Sequence, residues 1–281
     1  MFEASLAKSF ETASYPRVFA ISSGKGGVGK TTLAANLAYA LSKRGEKVLL
    51  FDGDLGLANV DVLFGLTPKC HIGDVLYGQA TFKEVMIEGP GGMKILPASS
   101  GVVSLTHLTE SQKLLLLEEF DGLARDFDWV FFDTAAGISE NVLYFNLASQ
   151  ERLLLCTPEP TALTDVYALI KVLYRRYEVK RFHLVVNWVR RRRQGEEIYR
   201  QLVRVVERFL GSVSLNFLAA LPFDPRVSRA ICYQRPFLEI FPDSPWAKAV
   251  LELAEQLLTL EGVPFDGGLK FFGRKIMGVV A

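Results

Sequence analysis

The stretch Gly24-Lys25-Gly26-Gly27-Val28-Gly29-Lys30-Thr31-Thr32 sets glycines, two lysines and two hydroxyls in the spacing G-x-x-x-x-G-K-[ST]. A triphosphate is a dense anion, and a glycine-rich turn lets several backbone N–H groups converge on it without obstruction from Cβ atoms. In this pattern Lys30 reaches the β- and γ-phosphates as a point charge, and the Thr31 hydroxyl ligates Mg²⁺. Lys25 is a second cation that the general pattern does not require.

Two further clusters carry carboxylates beyond apolar runs. Phe51-Asp52-Gly53-Asp54 is one, and Phe131-Phe132-Asp133-Thr134 is the other. An Asp closing a buried strand is the Walker B arrangement, which holds Mg²⁺ directly or through a water, and Asp133 fits it. Asp52 and Asp54 stand two apart, so both carboxylates can face the phosphate end if the strand continues. Phosphoryl transfer asks for positioning and charge neutralisation more than covalent chemistry. An N-K-x-D tetrad, which a GTPase would offer after Val186, is absent from the sequence there.

These residues need a scaffold that brings them to one edge. From Val18 the chain alternates continuous apolar runs with amphipathic segments, and strands are expected at Val18–Ser22, Lys47–Phe51, Met93–Pro97, Trp129–Phe132, Arg152–Cys156, Phe182–Val186 and Ser214–Ala220. Helices are expected near Leu33–Lys43, Glu110–Arg125, Ser139–Ala148, Leu163–Glu178, Glu196–Leu210 and Trp246–Leu260. Strands that read as unbroken apolar runs have both faces covered, so the fold class is α/β, a doubly wound, mostly parallel sheet with helices on both faces. In such sheets ligands bind beyond the carboxyl ends of the strands. The phosphate loop, Asp54 and Asp133 all fall there.

At 281 residues the chain suits one large domain, read as 17–262, with an extension over 1–16 and a tail over 263–281. A net charge of +1 argues against a wholesale DNA binder, and the run Arg190-Arg191-Arg192-Arg193 is read as a solvated loop or as a contact for an acidic partner, nucleotide or DNA. Cys70, Cys156 and Cys232 are far apart and without C-x-x-C spacing, which fits a reducing cytoplasm; His71, His107 and His183 are too scattered for a metal site. No apolar run is long enough to span a bilayer. After Gly267-Gly268, however, a helix would place Leu269, Phe272, Ile276 and Val280 on one side, with Phe271 and Met277 adding apolar surface and Lys270, Arg274 and Lys275 opposite. That is the composition of an interfacial anchor for an anionic membrane. Three cations contribute on the order of 1 kcal/mol each, so a single copy would bind reversibly.

Lys25 together with Gly26-Gly27-Val28-Gly29-Lys30-Thr31 resembles the deviant Walker A loop of the MinD/ParA superfamily. Within it the chain is most similar to the flagellar-number regulators FlhG and FleN, through Asp52-Gly53-Asp54-Leu55-Gly56-Leu57-Ala58-Asn59-Val60-Asp61, Pro97-Ala98-Ser99-Ser100-Gly101, Asp133-Thr134-Ala135-Ala136-Gly137 and Glu159-Pro160-Thr161-Ala162-Leu163-Thr164-Asp165. The resemblance implies a slow ATPase that binds ATP or ADP with Mg²⁺ and dimerises with ATP. In that dimer Lys25 would reach the partner's phosphates. Asp54 would position the attacking water and contribute at the metal, and Asp52 would belong to the γ-phosphate switch. Asn187, Pro222 and Asp224 would flank the adenine. Implied partners are a second copy, an FlhF-type GTPase, a flagellar transcription activator, switch-ring proteins and the inner face of the cell membrane. Residues 1–16 lack the D-Q-A-x-x-L motif that many members carry. A MinD-type division-site regulator and a ParA-type DNA partition ATPase are the alternatives. A dinucleotide-binding reductase is excluded by the missing G-x-G-x-x-G fingerprint.

Overall fold

The computed structural model describes residues 15–99, 101–123 and 126–261. The extension over 1–14 and the tail over 262–281, with the expected anchor residues Leu269, Phe271, Phe272, Ile276, Met277 and Val280, lie outside the described residues. Among the described residues no helix is long and apolar enough to cross a membrane.

Eight strands form one sheet: β1 Arg17–Ser23, β2 Val48–Gly53, β3 Ile87–Glu88, β4 Lys94–Leu96, β5 Trp129–Ala136, β6 Glu151–Cys156, β7 Arg181–Val189 and β8 Ser214–Pro222. Their spatial order is β3-β4-β2-β5-β1-β6-β7-β8, parallel throughout except for the β3–β4 pair. The order reverses between β1 and its neighbours β5 and β6, and the phosphate loop leaves β1 at that switch point. The two-residue edge strand β3 was invisible to periodicity because it is too short to have one.

Along β1, Phe19 and Ile21 face one core while Val18 faces another. This alternation, repeated in β2 and β5, is why the strands read as unbroken apolar runs: both faces are covered. Helices α1 Lys30–Ser42 and α11 Pro245–Thr259 cover the first face. Helices α5 Glu110–Gly122, α6 Glu140–Ala148, α7 Pro160–Tyr177 and α8 Arg192–Leu210 cover the other. Short helices α2 Val60–Leu63, α3 Ile72–Leu76, α4 Phe82–Val85, α9 Arg226–Cys232 and α10 Phe237–Ile240 fill the connections. They are single turns or little more, below the length at which a hydrophobic period is legible.

Local chemistry sets several helix starts. Thr109 and Gln112 form a capping box at α5, and the Ser244 hydroxyl accepts from Ala247 N at 3.0 Å, with Pro245 as the first residue of α11. The arginine run is not a plain loop: Arg190 and Arg191 turn out of β7, and Arg192 and Arg193 open α8.

Phe51 anchors the strand that carries the carboxylate pair. The rings of Phe120, Phe132 and Phe145 sit 5.6, 5.1 and 5.3 Å from it, centroid to centroid, in tilted contacts. Such pairs contribute about 0.5–1.5 kcal/mol each beyond their buried area. The next residue, Asp52, is thereby held at a fixed depth in the sheet.

Candidate nucleotide site

The loop from Gly24 to Gly29 turns out of β1 and delivers α1, whose first residue is Lys30. Gly29 has φ 96° and sits before the helix, and a Cβ there would stand 2.7 Å from Asn187 Nδ2. Only glycine satisfies both the left-handed backbone and that approach. At the other end of the loop, a Cβ on Gly24 would collide with the backbone of Asp165 in α7. Gly24 is therefore a packing residue; it does not line the cleft above the loop.

That cleft has a volume of about 800 Å³, within the range of small-molecule sites. Its floor is Gly26, Gly27, Gly29, Lys30, Thr31 and Thr32. Asp54 and Asn59 stand on one side, and Asn187, Trp188, Phe223 and Asp224 on the other. The Val28 side chain is buried in the core below, so this residue offers the cleft only backbone.

Beneath the floor a buried polar network ties strand ends together. Asn146 Nδ2 donates to Ser22 Oγ at 2.8 Å, and Ser22 Oγ shares a 2.9 Å hydrogen bond with Thr134 Oγ1. The Arg152 guanidinium donates to the carbonyls of Asn146, Ser149 and Gln150, capping the end of α6. The loop therefore stands on a fixed base, as preorganised anion binding requires.

The charged groups respond to that setting. Lys30 is buried and its pKa is lowered by desolvation, against the pull of the Asp133 and Asp54 carboxylates. Asp133 is pushed up to about 6 by burial, against a hydrogen bond from Thr31 and the charge of Lys30. Its Oδ1 is buried with no hydrogen-bond partner. A buried carboxylate oxygen left over beside a hydroxyl and an ammonium is a site built for a cation. Among the described residues no group of three or more His, Cys, Asp or Glu side chains forms a metal cage, so Thr31 and Asp133 would share an ion with the phosphates, as Mg²⁺ commonly is. Asp133 lies within β5, which runs on to Ala136, and does not close the strand.

Asp52 and Asp54 separate. Asp52 is fully buried and is pushed up to about 8 by burial and by the charge of Asp133, its register neighbour on β5. Its carboxylate accepts from the backbone N–H groups of Asp54 at 3.1 Å, Asn59 at 2.8 Å and Val60 at 3.1 Å. The two carboxylates thus do not both face the cleft, because β2 ends at Gly53 and the chain turns there. Asp52 ties down the loop on which Asp54 is carried. Asp54 lines the cleft and accepts from Leu57 N at 3.3 Å. Burial raises its pKa, opposed by that hydrogen bond and by Lys30.

The residues expected beside the base divide similarly. Asn187 is in the cleft wall, but its amide is engaged: Nδ2 donates to Val28 O at 2.9 Å, and Oδ1 accepts from Trp246 Nε1 at 3.4 Å. It clamps the phosphate loop. Asp224 lines the cleft with its carboxylate forked by Arg226, whose Nε and Nη2 donate at 2.9 and 2.6 Å and hold its pKa down. Pro222 ends β8 outside the cleft lining, where Phe223 and Pro225 stand instead. Trp188 and the α9 residues were not anticipated; an aromatic residue directly after Asn187 was the available signal.

Lys25 does not line its own cleft. Its Nζ donates to Glu159 Oε2 at 2.5 Å and to Thr161 Oγ1 at 3.4 Å, at the start of α7.

A search among protein families matches residues 19–237 to the CobQ/CobB/MinD/ParA nucleotide binding domain. The chain belongs to the MinD/ParA family. Within it, the chain is 42% identical over 263 residues to the antiactivator FleN of Pseudomonas aeruginosa, covering 93% of each chain. It is 32% identical to the flagellum site-determining protein YlxH of Helicobacter pylori, covering 94% of this chain and 91% of that one. Among solved structures, the septum site-determining protein MinD of Pyrococcus horikoshii, complexed with Mg-ADP, matches with a TM-score of 0.72 and 27% identity over 86% of this chain and 96% of that one. As a MinD/ParA member this chain is a P-loop ATPase that uses ATP or ADP with Mg²⁺.

Proposed function

We propose that the protein is an ATP-dependent dimerising switch that sets flagellar number or placement and associates reversibly with the inner face of the cell membrane. Similarity to FleN and YlxH supports the flagellar role. The observation that carries the switch is the position of Lys25. A cation built into the phosphate loop but held away from that loop's own cleft, on Glu159 and Thr161, supports a role at a site it does not itself line. A second copy, facing the first across the clefts, would supply that site.

In this reading Lys30 and the loop N–H groups bind the β- and γ-phosphates, and Thr31 and Asp133 hold Mg²⁺, which neutralises charge on the phosphates. Asp54, carried on the loop that Asp52 pins, orients the attacking water and releases that loop when the γ-phosphate leaves. Turnover without a general base of matched pKa is slow, and slow turnover suits a timer. The partners proposed for the ATP-bound state are an FlhF-type GTPase, a flagellar transcription activator or switch-ring proteins; the name antiactivator borne by FleN favours the activator.

Light scattering of the purified protein tests the reading. With ATP and Mg²⁺ the wild type should double its mass and Asp54→Ala should remain a dimer for hours, whereas Lys25→Ala should bind ATP yet stay monomeric. A dimer of Lys25→Ala, or hydrolysis by Asp54→Ala at the parental rate, would overturn the assigned roles. The membrane reading predicts that ATP, but not ADP, drives sedimentation with anionic liposomes and that removing 269–281 abolishes it. Flagellar counts in a host lacking its own copy should rise and return to normal only with the wild-type chain.

A further inference from the structure

The cleft gives a phosphate chain many contacts, and the residues expected to recognise the base are partly engaged elsewhere. Asn187 Nδ2 donates to Val28 O and its Oδ1 accepts from Trp246 Nε1, while the Asp224 carboxylate is held by Arg226. The same wall also carries aromatic rings. Trp188 is 40% exposed and Phe223 is 61% exposed, both lining the cleft. Aromatic side chains lining a cleft supply the apolar wall that small-molecule sites commonly have.

The backbone shows that Trp188 is held there at a cost. It has φ 59°, in the left-handed region, where a bulky side chain is an outlier. The cause is a bulge. Val186 pairs with Ala220 and Val189 with Pro222, so three steps on β7 match two on β8, and the extra residue falls between them. A bulge re-aims the side chain it displaces, and backbone strain that persists is found where a site needs it. The Phe223 N–H donates to Val189 O at 3.0 Å, which fixes the second ring on the adjoining strand end. Among the described residues neither ring is stacked on another aromatic side chain of the protein; Trp129 and Trp246, by contrast, are both buried in the core.

We propose that Trp188, aimed by the β7 bulge and flanked by Phe223, is the stacking platform for the nucleobase and determines the preference of the cleft for a nucleotide over bare polyphosphate. The proposal rests on the reading of the cleft as an ATP site and adds the residue that recognises the base. A purine bound by stacking needs no hydrogen-bonding tetrad, which fits a wall whose polar side chains are partly engaged with the protein itself. The larger purine ring gains more from an indole than a pyrimidine does, so ATP is favoured over CTP.

The test uses Trp188→Gly, because glycine adopts φ 59° without strain and the substitution removes the indole without forcing the backbone to move. Affinities for ATP, CTP and inorganic tripolyphosphate are measured by calorimetry on the full chain. Stacking on an aromatic side chain is worth about 1–3 kcal/mol per base, so ATP affinity should fall roughly five- to 150-fold. Tripolyphosphate affinity should stay within about twofold, the ATP-over-CTP preference should shrink, and Trp188→Phe should restore most of the loss. Unchanged ATP affinity in Trp188→Gly would overturn the proposal while leaving the ATP reading intact. An equal loss for ATP and tripolyphosphate would also overturn it, by showing that the residue acts through the phosphate loop. A wild type that binds neither ligand would sink the ATP reading itself.

Discussion

Where the central strands begin, Glu151 at the start of β6 is buried between His183, whose Nε2 lies 2.8 Å from its Oε2, and Arg17, whose Nη2 lies 3.6 Å from its Oε1. Where the same sheet ends, Asp52 and Asp133 are buried side by side on β2 and β5. One end pairs unlike groups and the other crowds like charges. Arg17 also stacks over Trp129 and donates to Leu257 O at 2.5 Å, which joins the last turn of α11 to the sheet. Each cluster keeps a buried carboxylate oxygen without a hydrogen-bond partner, Glu151 Oε1 at one end and Asp133 Oδ1 at the other, but only the strand-end cluster lies beside Lys30 and Thr31 of the cleft floor. Opposite charges buried together hold a fold in one arrangement; like charges buried together leave it short of a cation, which a ligand then supplies.

Removing the cation nearest the crowded end tests this contrast most severely. Lys30→Ala should lower ATP affinity at least about hundredfold in calorimetry, because charge-assisted hydrogen bonds to phosphate are worth roughly 1.5–3 kcal/mol each. The opposite end should respond through stability. Glu151→Gln should destabilise the chain toward the lower end of the roughly 3–5 kcal/mol found when one partner of a buried pair is removed, since Arg17 keeps some contact with water. Its thermal midpoint should drop while nucleotide affinity stays at the wild-type value. A change in affinity with no change in melting would erase the distinction between the two ends.

The most gradual effect is a slope. Asp52 is raised to about 8 in the folded protein from an ordinary carboxyl near 3.8. Between those values the folded state holds a proton that the unfolded chain has released. The Asp52 contribution therefore makes the nucleotide-free protein less stable as pH rises from about 4 toward 8, and levels off above. Urea titrations at intervals of pH should show that decline, and Asp52→Asn should flatten it. A slope unchanged in Asp52→Asn would mean that the like-charge pair is not what titrates.

The parallel sheet and its helices were legible because each long element repeats its apolar pattern over enough residues to reveal its period. Lys30, Thr31 and Asp133 were legible because a triphosphate with Mg²⁺ demands particular residue types at particular spacings. Asp52 was not, for two carboxylates two residues apart look alike until one knows that β2 stops at Gly53. Asn187 lines the cleft, but its engagement with Val28 and Trp246 joins segments 159 and 59 residues away, and no local pattern encodes that. The short helices α2, α3, α4, α9 and α10 were missed because one or two turns carry no legible period and are held by their surroundings.

The sequence by itself determined the fold class, the phosphate loop and the carboxylate on β5, since periodicity and motif spacing are properties of neighbouring residues. Only the tertiary structure decided which of two aspartates faces the cleft, that Lys25 lies outside it and that a strained tryptophan stands at its mouth. Those outcomes depend on where strands end relative to one another, and register across a sheet is set by packing between segments far apart in the chain.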